Sequence, residues 1–291
     1  MKQSVITIGT FDGIHKGHKA IIDKVIEISK TKNLKSILIS FEKPIKQVNG
    51  LLTLPDEKID ILSSFIVDEI LILPVDKSIV SITAESFFNE VLLKQLHVSH
   101  IVVGYDCAFG KDRVGNIAWL QKKAKQHNIS IDIVKPVKVK KQIISSSKIR
   151  NLIQKNNISL ANKMLDRVFE INGKKISGNK IGREIGFPTI NIEVNQNKVL
   201  PRGVFICSIA DKTGQIYPGV LNIGTRPTVK LKNHALSIEI HLLEFAGNWK
   251  EKNIKVSIYK YIRNEKKFTS IDCLKKAIRH DIIKTKHFFS L

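Results

Sequence analysis

Cysteine is scarce in this 291-residue chain. Cys107, Cys207 and Cys273 are far apart and odd in number, which excludes a disulfide framework and gives no zinc spacing. Free thiols are expected. No apolar run approaches the roughly 18 residues that cross a bilayer, and Met1–Gly13 reaches Asp12 before a signal-peptide core could form. A soluble, cytoplasmic protein without a membrane partner is expected. Arginine is short as well, with eight against forty lysines, so the net charge of +22 comes from lysine. A surface that reads nucleic acid would use more arginine, whose guanidinium binds phosphate and guanine through two parallel hydrogen bonds. Lysine, isoleucine and asparagine are all abundant, which points to a general coding bias and a solvated basic surface that helps to attract anionic substrates. No specific nucleic-acid partner is expected, and the oligomeric state cannot be read from these residues. Hydrophobic residues at 43% and charged residues at 25% exclude wholesale disorder, and the length favours two domains.

What is present falls into two textures. Up to about residue 160, Val5–Gly9, Ser36–Phe41, Glu69–Val75, His100–Asp106 and Ile129–Lys135 read as strands buried on both faces. Between them lie Ile21/Val25/Ile28, Ile59/Leu62/Phe65, Phe87/Val91/Leu92 and Ile117/Leu120/Ala124 at helical spacing. Repeated βα predicts a parallel sheet covered by helices, with ligands at the carboxyl ends of the strands. Beyond that point six candidate strands, Val168–Ile176, Phe187–Val194, Val204–Asp211, Ile216–Ile223, Leu236–Phe245 and Ile254–Ile262, suit a closed antiparallel barrel. A last helix follows, capped by Ser270, with Ile271, Leu274, Ile278 and Ile282 on one face. The boundary is expected near Asn156–Asp166, giving domains 1–160 and 161–291.

Three segments carry chemistry. The first strand runs into Gly9-Thr10-Phe11-Asp12-Gly13-Ile14-His15-Lys16-Gly17-His18 and then a helix. Glycines let backbone approach a ligand, and a helix start offers free N–H groups to phosphate. His15 and His18, three apart, would hydrogen-bond an attacked phosphate; the bland alternative is two surface histidines, and zinc would lack ligands. Gly104 and Asp106 end a central strand and would face the same crevice, while Ser145-Ser146-Ser147-Lys148-Ile149-Arg150 opens a helix with hydroxyls and cations suited to nucleotide phosphates, or is only a cap. In the second half, a glycine-rich segment from Gly178 through Lys180, Gly182 and Pro188 leads to Thr189 and Asn191. Alternation on a strand would aim both oxygens at a magnesium ion shared with phosphates, unless they are ordinary polar strand positions. Glu239 shares a strand face with Ser237 and His241. It would accept a proton from an attacking hydroxyl, or equally face solvent.

With these segments in view, the chain resembles the bacterial bifunctional riboflavin kinase/FAD synthetase family from about Ser4 to Leu291. The matching pieces, in family order, are GTFDGIHKGH, VVGYD, ISSSKIR, GREIGFPTIN, LPRGVF, PGVLNIGTRPT, IEIHLLEF and IRNEKKFTSIDCL. The resemblance implies an α/β nucleotidyltransferase domain of the HxGH type, forming FAD and pyrophosphate from FMN and ATP. It implies next a riboflavin kinase barrel with a C-terminal helix, forming FMN from riboflavin and ATP, with Mg2+ in support. It also implies His15 and His18 as phosphate-binding catalytic groups, with Gly9, Thr10, Phe11, Asp12, Gly13, Gly17, Ser145, Ser146, Ser147 and Arg150 as nucleotide-binding residues. In the kinase it implies Gly178, Lys180, Gly182, Pro188 and Thr189 at the nucleotide, Thr189 and Asn191 at the metal, and Glu239 as general base. Gly104, Asp106 and Arg263 are implied as flavin-binding. Thr10, Ser147 and Ile190 depart mildly from the family pattern. Cys107 stands where the family more often has an aromatic, which places it beside the first flavin site. Two rival readings are a single-activity riboflavin kinase with a decayed or altered first domain, and a basic nucleic-acid-binding protein.

Overall fold

The computed structural model describes residues 2–178, 181–225 and 236–291. It divides into two compact units, Met1–Lys148 and Ile149–Leu291.

In the first unit, strands β1 (Ser4–Gly9), β2 (Lys35–Phe41), β3 (Glu69–Leu73), β4 (Val98–Gly104) and β5 (Ser130–Val134) form a sheet in the order β3-β2-β1-β4-β5, every pair parallel. Residue alternation sends the apolar side chains to both faces. Ile6, Ile8, Ile37, Ile39 and Val103 pack with Phe87, Phe88, Leu92 and Leu120 on one side. On the other, Val5 and Val102 meet Val25 and Ile28, and Leu38 meets Ile22 and Leu62. Helix α1 (Lys16–Lys32) and helix α2 (Pro55–Leu62) supply the second face, while helix α3 (Ile117–Gln126) and the helical stretch Phe87–Gln95 supply the first. The chain reverses its direction of winding between β1 and β4, so their carboxyl ends frame the crevice where ligands of such sheets lie.

Two local expectations shift. The second helix was expected to bury Ile59, Leu62 and Phe65, but Ile59 is 44% exposed and Lys58 is buried in its place. The stretch Phe87–Gln95 is wound with i to i+5 bonds, as in Leu96 N–H to the Val91 carbonyl at 3.0 Å. Its buried set is therefore Phe87, Phe88 and Leu92 rather than a regular α stripe.

The second unit contains helix α4 from Ile149 onward (the whole helix is Ser146–Gln154), helix α5 (Ile158–Leu165) and six strands. These strands are β6 (Phe169–Ile176), β7 (Ile190–Val194), β8 (Gly203–Ala210), β9 (Ile216–Thr225), β10 (Leu236–Leu242) and β11 (Asn253–Arg263). They close as an antiparallel barrel in the order β6-β7-β10-β9-β8-β11, around Ile171, Ile192, Phe205, Cys207, Leu221, Ile240 and Ile258. Closure leaves no exposed sheet edge. Helix α5 is tied to this barrel, since the Asn162 amide donates to the Ile258 carbonyl at 3.0 Å and its oxygen accepts from Phe169 N–H at 2.9 Å. The final helix α6 (Ile271–Phe289) begins at Ser270, whose hydroxyl accepts from Cys273 N–H at 3.2 Å. Its buried positions are Asp281 and Thr285, whereas Ile271, expected in the apolar face, is 60% exposed.

Candidate active sites

The first site is a turn that the sequence drives into unusual backbone. Between β1 and α1, Phe11 has φ 49°, Gly13 φ 86° and Ile14 φ 38°, conformations that only glycine adopts freely. Phe11 is buried beside Ile14 and Leu62, and a Cβ on Gly9 would meet its ring at 3.2 Å. The Asp12 carboxylate is also turned inward, accepting Leu52 N–H at 2.9 Å and Thr53 N–H at 3.1 Å. Phe11 and Asp12 thus shape the turn from within.

His15 caps α1: its Nδ1 accepts the His18 N–H at 3.3 Å, and the two imidazoles stack with centroids 3.6 Å apart and planes 14° from parallel. Gly17 makes room for this, because a Cβ there would meet the His15 ring at 3.2 Å. The pair therefore stands at the positive end of a 17-residue helix, where phosphate is stabilised by N–H groups and dipole. The serine cluster comes to the same place. Ser145 accepts from Lys148 N–H at 3.2 Å, and Ser146 donates to the Asp12 carbonyl at 2.8 Å. Ser147 is exposed, and Arg150 is buried.

Gly104 ends β4, and a Cβ there would crowd Ile21 and the Asp106 carboxylate. Asp106 lies past the strand rather than in it, because Cys107 N–H returns to the Gly104 carbonyl at 3.1 Å and closes a turn. Cys107 packs on the apolar core of the first sheet face, and burial pushes its thiol up to about 12. A further residue here escaped sequence reasoning. Lys58 on α2 donates to the carbonyls of Thr10 at 2.7 Å, Phe41 at 2.5 Å and Glu42 at 3.1 Å.

The second site lies in the barrel. Thr189 sits one residue before β7, not within it: Pro188 has no N–H to give a ladder, and Phe187 N–H is drawn to the Gly182 carbonyl at 2.6 Å. The Thr189 hydroxyl nevertheless donates to Glu239 Oε2 at 3.5 Å, and Asn191 is the register partner of Glu239 across β7 and β10. Ser237, buried, donates to Glu239 Oε1 at 2.8 Å, so the carboxylate is fixed from both sides. His241 instead approaches the Pro188 carbonyl at 2.9 Å. Two glycines give these groups their room. A Cβ on Gly178 would fall 2.2 Å from the Asn191 amide, and one on Gly182 would fall 2.4 Å from the Phe187 carbonyl and 3.4 Å from Thr189 Oγ1.

Beside Thr189 and Asn191 opens a cavity of about 950 Å3, walled also by Lys174, Arg183, Phe245 and Trp249. Arg183 donates to Asn248 Oδ1 across this wall at 3.0 Å. None of those four was singled out from sequence; the run Lys174-Lys175 and the aromatics of the 245–249 loop were the available signal. Lys180 lies outside the described residues. Arg263 is engaged on the C-terminal helix, where the Asp281 carboxylate accepts from its Nε at 3.0 Å and from its Nη2 at 2.8 Å, and it also lies over the Phe268 ring at 5.6 Å. Among the described residues, no group of three or more His, Cys, Asp or Glu is arranged to hold a metal, and no helix is long and apolar enough to cross a membrane.

Comparison with known proteins covers both units. Residues 1–148 match the FAD synthetase family and residues 165–289 the riboflavin kinase family. A bifunctional riboflavin kinase/FMN adenylyltransferase of Buchnera aphidicola subsp. Schizaphis graminum is 38% identical, over 99% of this chain and 95% of its own. That of Escherichia coli (strain K12) is 34% identical over 99% and 93%. A crystal structure described as a macrolide-efflux protein from Streptococcus pneumoniae superposes with a TM-score of 0.88 at 26% identity, covering 98% of this chain and 94% of that one.

Proposed function

This chain belongs to the bifunctional riboflavin kinase/FMN adenylyltransferase family, and from that premise we propose that its second unit makes FMN and its first converts FMN to FAD. The enzyme phosphorylates riboflavin with ATP, then adenylylates the FMN with a second ATP and releases pyrophosphate. A single-activity kinase is the weaker reading, because both halves match and the relatives are named for both activities. We place the reactions in the cytoplasm, where ATP is available.

In the kinase, Glu239 orients the ribityl 5′-hydroxyl and takes its proton as the oxygen attacks the γ-phosphate of ATP, with ADP leaving. The contact that carries this assignment is the Glu239 carboxylate held between Ser237 and Thr189, directly opposite Asn191. Thr189 and Asn191 offer a hydroxyl and a carboxamide, neutral hard oxygens of the kind magnesium accepts when phosphates complete its shell, and the missing Cβ of Gly178 leaves the carboxamide its place. These residues fit the ion and would hold it, and when bound it neutralises charge on the phosphates. Gly182 and Pro188 shape the nucleotide segment.

In the synthetase, an FMN phosphate oxygen attacks the α-phosphate of ATP. His15 and His18 donate to the crowded phosphoryl group, while the turn from Gly9 to Gly17 and the Ser145–Ser147 and Arg150 motif hold the nucleotide. Gly104 and Asp106 bound the flavin side of that crevice. Arg263 contributes to the kinase's flavin site by fixing the end of β11 against α6. The test is incubation of the protein with riboflavin, ATP and magnesium, products separated over time. FMN followed by FAD is expected; FMN alone would refute the role of the first unit.

A further inference from the structure

The backbone between β1 and α1 is held from beneath. Non-glycine residues at φ 49° and 38° persist only where their surroundings leave no alternative. Here Asp12 takes two N–H groups from the 52–53 segment, and Gly13 N–H donates to Thr53 Oγ1 at 3.1 Å. Lys58 then reaches in from α2. It is 1% exposed, and its three bonds go to main-chain carbonyls, one per ammonium proton. An apolar side chain would fill that space without desolvating a charge, so the ammonium is retained for what it binds. What it binds is the carbonyl of Thr10, the residue that starts the turn, tied to the carboxyl end of β2.

We propose that Lys58 is a positioning residue for adenylyl transfer, its ammonium fixing the Thr10 carbonyl and so setting where His15 and His18 stand against the nucleotide phosphate. The inference rests on the role given to those histidines above. Burial pushes the Lys58 pKa down to about 8, against the opposing pull of Asp12 on the turn and Glu42 past the end of β2. Once neutral, the amine has two N–H bonds for three carbonyls, and its lone pair faces the third. The turn then loosens. A displacement of the order of an ångström at a reacting group lowers a rate by about 10²-fold.

The experiment follows two reactions of the full-length enzyme across the Lys58 pKa of about 8: FAD from supplied FMN, and FMN from riboflavin. In the unaltered enzyme, kcat for FAD formation should fall on the alkaline side while the kinase shows no matching fall. Lys58→Met should lower kcat for FAD formation by about 10²-fold with little change in the KM for ATP. Its residual activity should lack the alkaline fall. Every other group of the site is the same in both proteins, so the comparison isolates the lysine. A variant that makes FAD at the unaltered rate, or keeps the alkaline fall, overturns the proposal. Should the variant lose the kinase as well, through misfolding, the unaltered enzyme decides: a fall confined to FAD formation supports Lys58, and a level profile overturns it. An unaltered enzyme that makes no FAD at any pH refutes the adenylylation reading itself, a distinct outcome.

Discussion

Glu239→Gln separates the chemistry of the barrel from its architecture. The amide has the carboxylate's shape, and its oxygen can still accept from Ser237, which stands 2.8 Å from Oε1. What is lost is the proton acceptor. The Thr189 contact at 3.5 Å is already long, so its weakening adds little. The structural penalty is therefore at most that of one hydrogen bond, about 0.5–1.5 kcal/mol. The catalytic penalty is that of a general base, about 10²–10⁴-fold in FMN formation, or roughly 3–5 kcal/mol of barrel-site barrier. The assay measures FMN from riboflavin, FAD from supplied FMN and the thermal midpoint on one preparation. FMN formation should collapse while FAD formation and the midpoint hold. The reverse experiment is His18→Ala, which removes one donor to the attacked phosphate and should slow FAD formation by about 10²–10³-fold while FMN accumulates. If either substitution abolishes both reactions in a protein that keeps its midpoint, the sites are not separate and the mechanism fails.

Gly178→Ala places a Cβ 2.2 Å from the Asn191 amide, and the displaced carboxamide should lower kinase activity by about 10²-fold while adenylylation continues; an unchanged kinase would show that Asn191 plays no part at the phosphates. A fragment of residues 149–291 should retain the kinase, whereas one starting at residue 166 loses the fully buried Ile158, Ala161, Met164 and Leu165 of α5 and should unfold at markedly lower denaturant, since each large apolar side chain contributes about 1.5–3 kcal/mol. Equal midpoints for the two fragments would contradict the packing of α5 on the barrel. Alkylation followed by mass spectrometry should mark Cys273 first, because hydrogen bonds from Ser270 and Thr269 lower its thiol, while burial raises Cys107 to about 12 and raises Cys207 as well, keeping both protonated at neutral and mildly alkaline pH.

The residues that repeat at short intervals were the readable ones. β1 sends Val5 to one face and Ile6 and Ile8 to the other, and each finds a helix of the expected apolar period. The six barrel strands likewise announce themselves through runs bounded by glycine and proline. Long-range partners leave no such trace. In Pro55–Leu62, Lys58 reads as a solvent-facing helix lysine, yet carbonyls from two other segments turn it inward and leave Ile59 exposed. In α6, Asp281 occupies the buried stripe because Arg263, eighteen residues earlier, supplies the counter-charge. Spacing alone also placed Thr189 inside a strand, where Pro188 ends the ladder, although the side chain still reaches Glu239. By pattern Glu239 could equally face solvent; in the structure Ser237 and Thr189 hold its carboxylate, and Thr189 is fifty residues away.

The scarcity of arginine takes on meaning once the side chains are placed. Arg263 is bound through two nitrogens to buried Asp281, Arg183 is bound to Asn248 at the cavity, Arg150 is buried, and Arg113 reaches the Asp106 carbonyl at 3.5 Å. A planar, permanently charged fork suits the fixed partners of Arg263, Arg183 and Arg113. Lysine, by contrast, is mostly exposed, and a flexible point charge there raises the local concentration of any polyanion without selecting one. Lys58 departs from that rule in the informative direction. It is buried where an apolar residue would pack at lower desolvation cost, and that burial pushes its pKa down to about 8. On the proposed reading, the broad basic surface serves encounter with anionic substrates, while selectivity rests on a few cations and carboxylates whose geometry other segments impose.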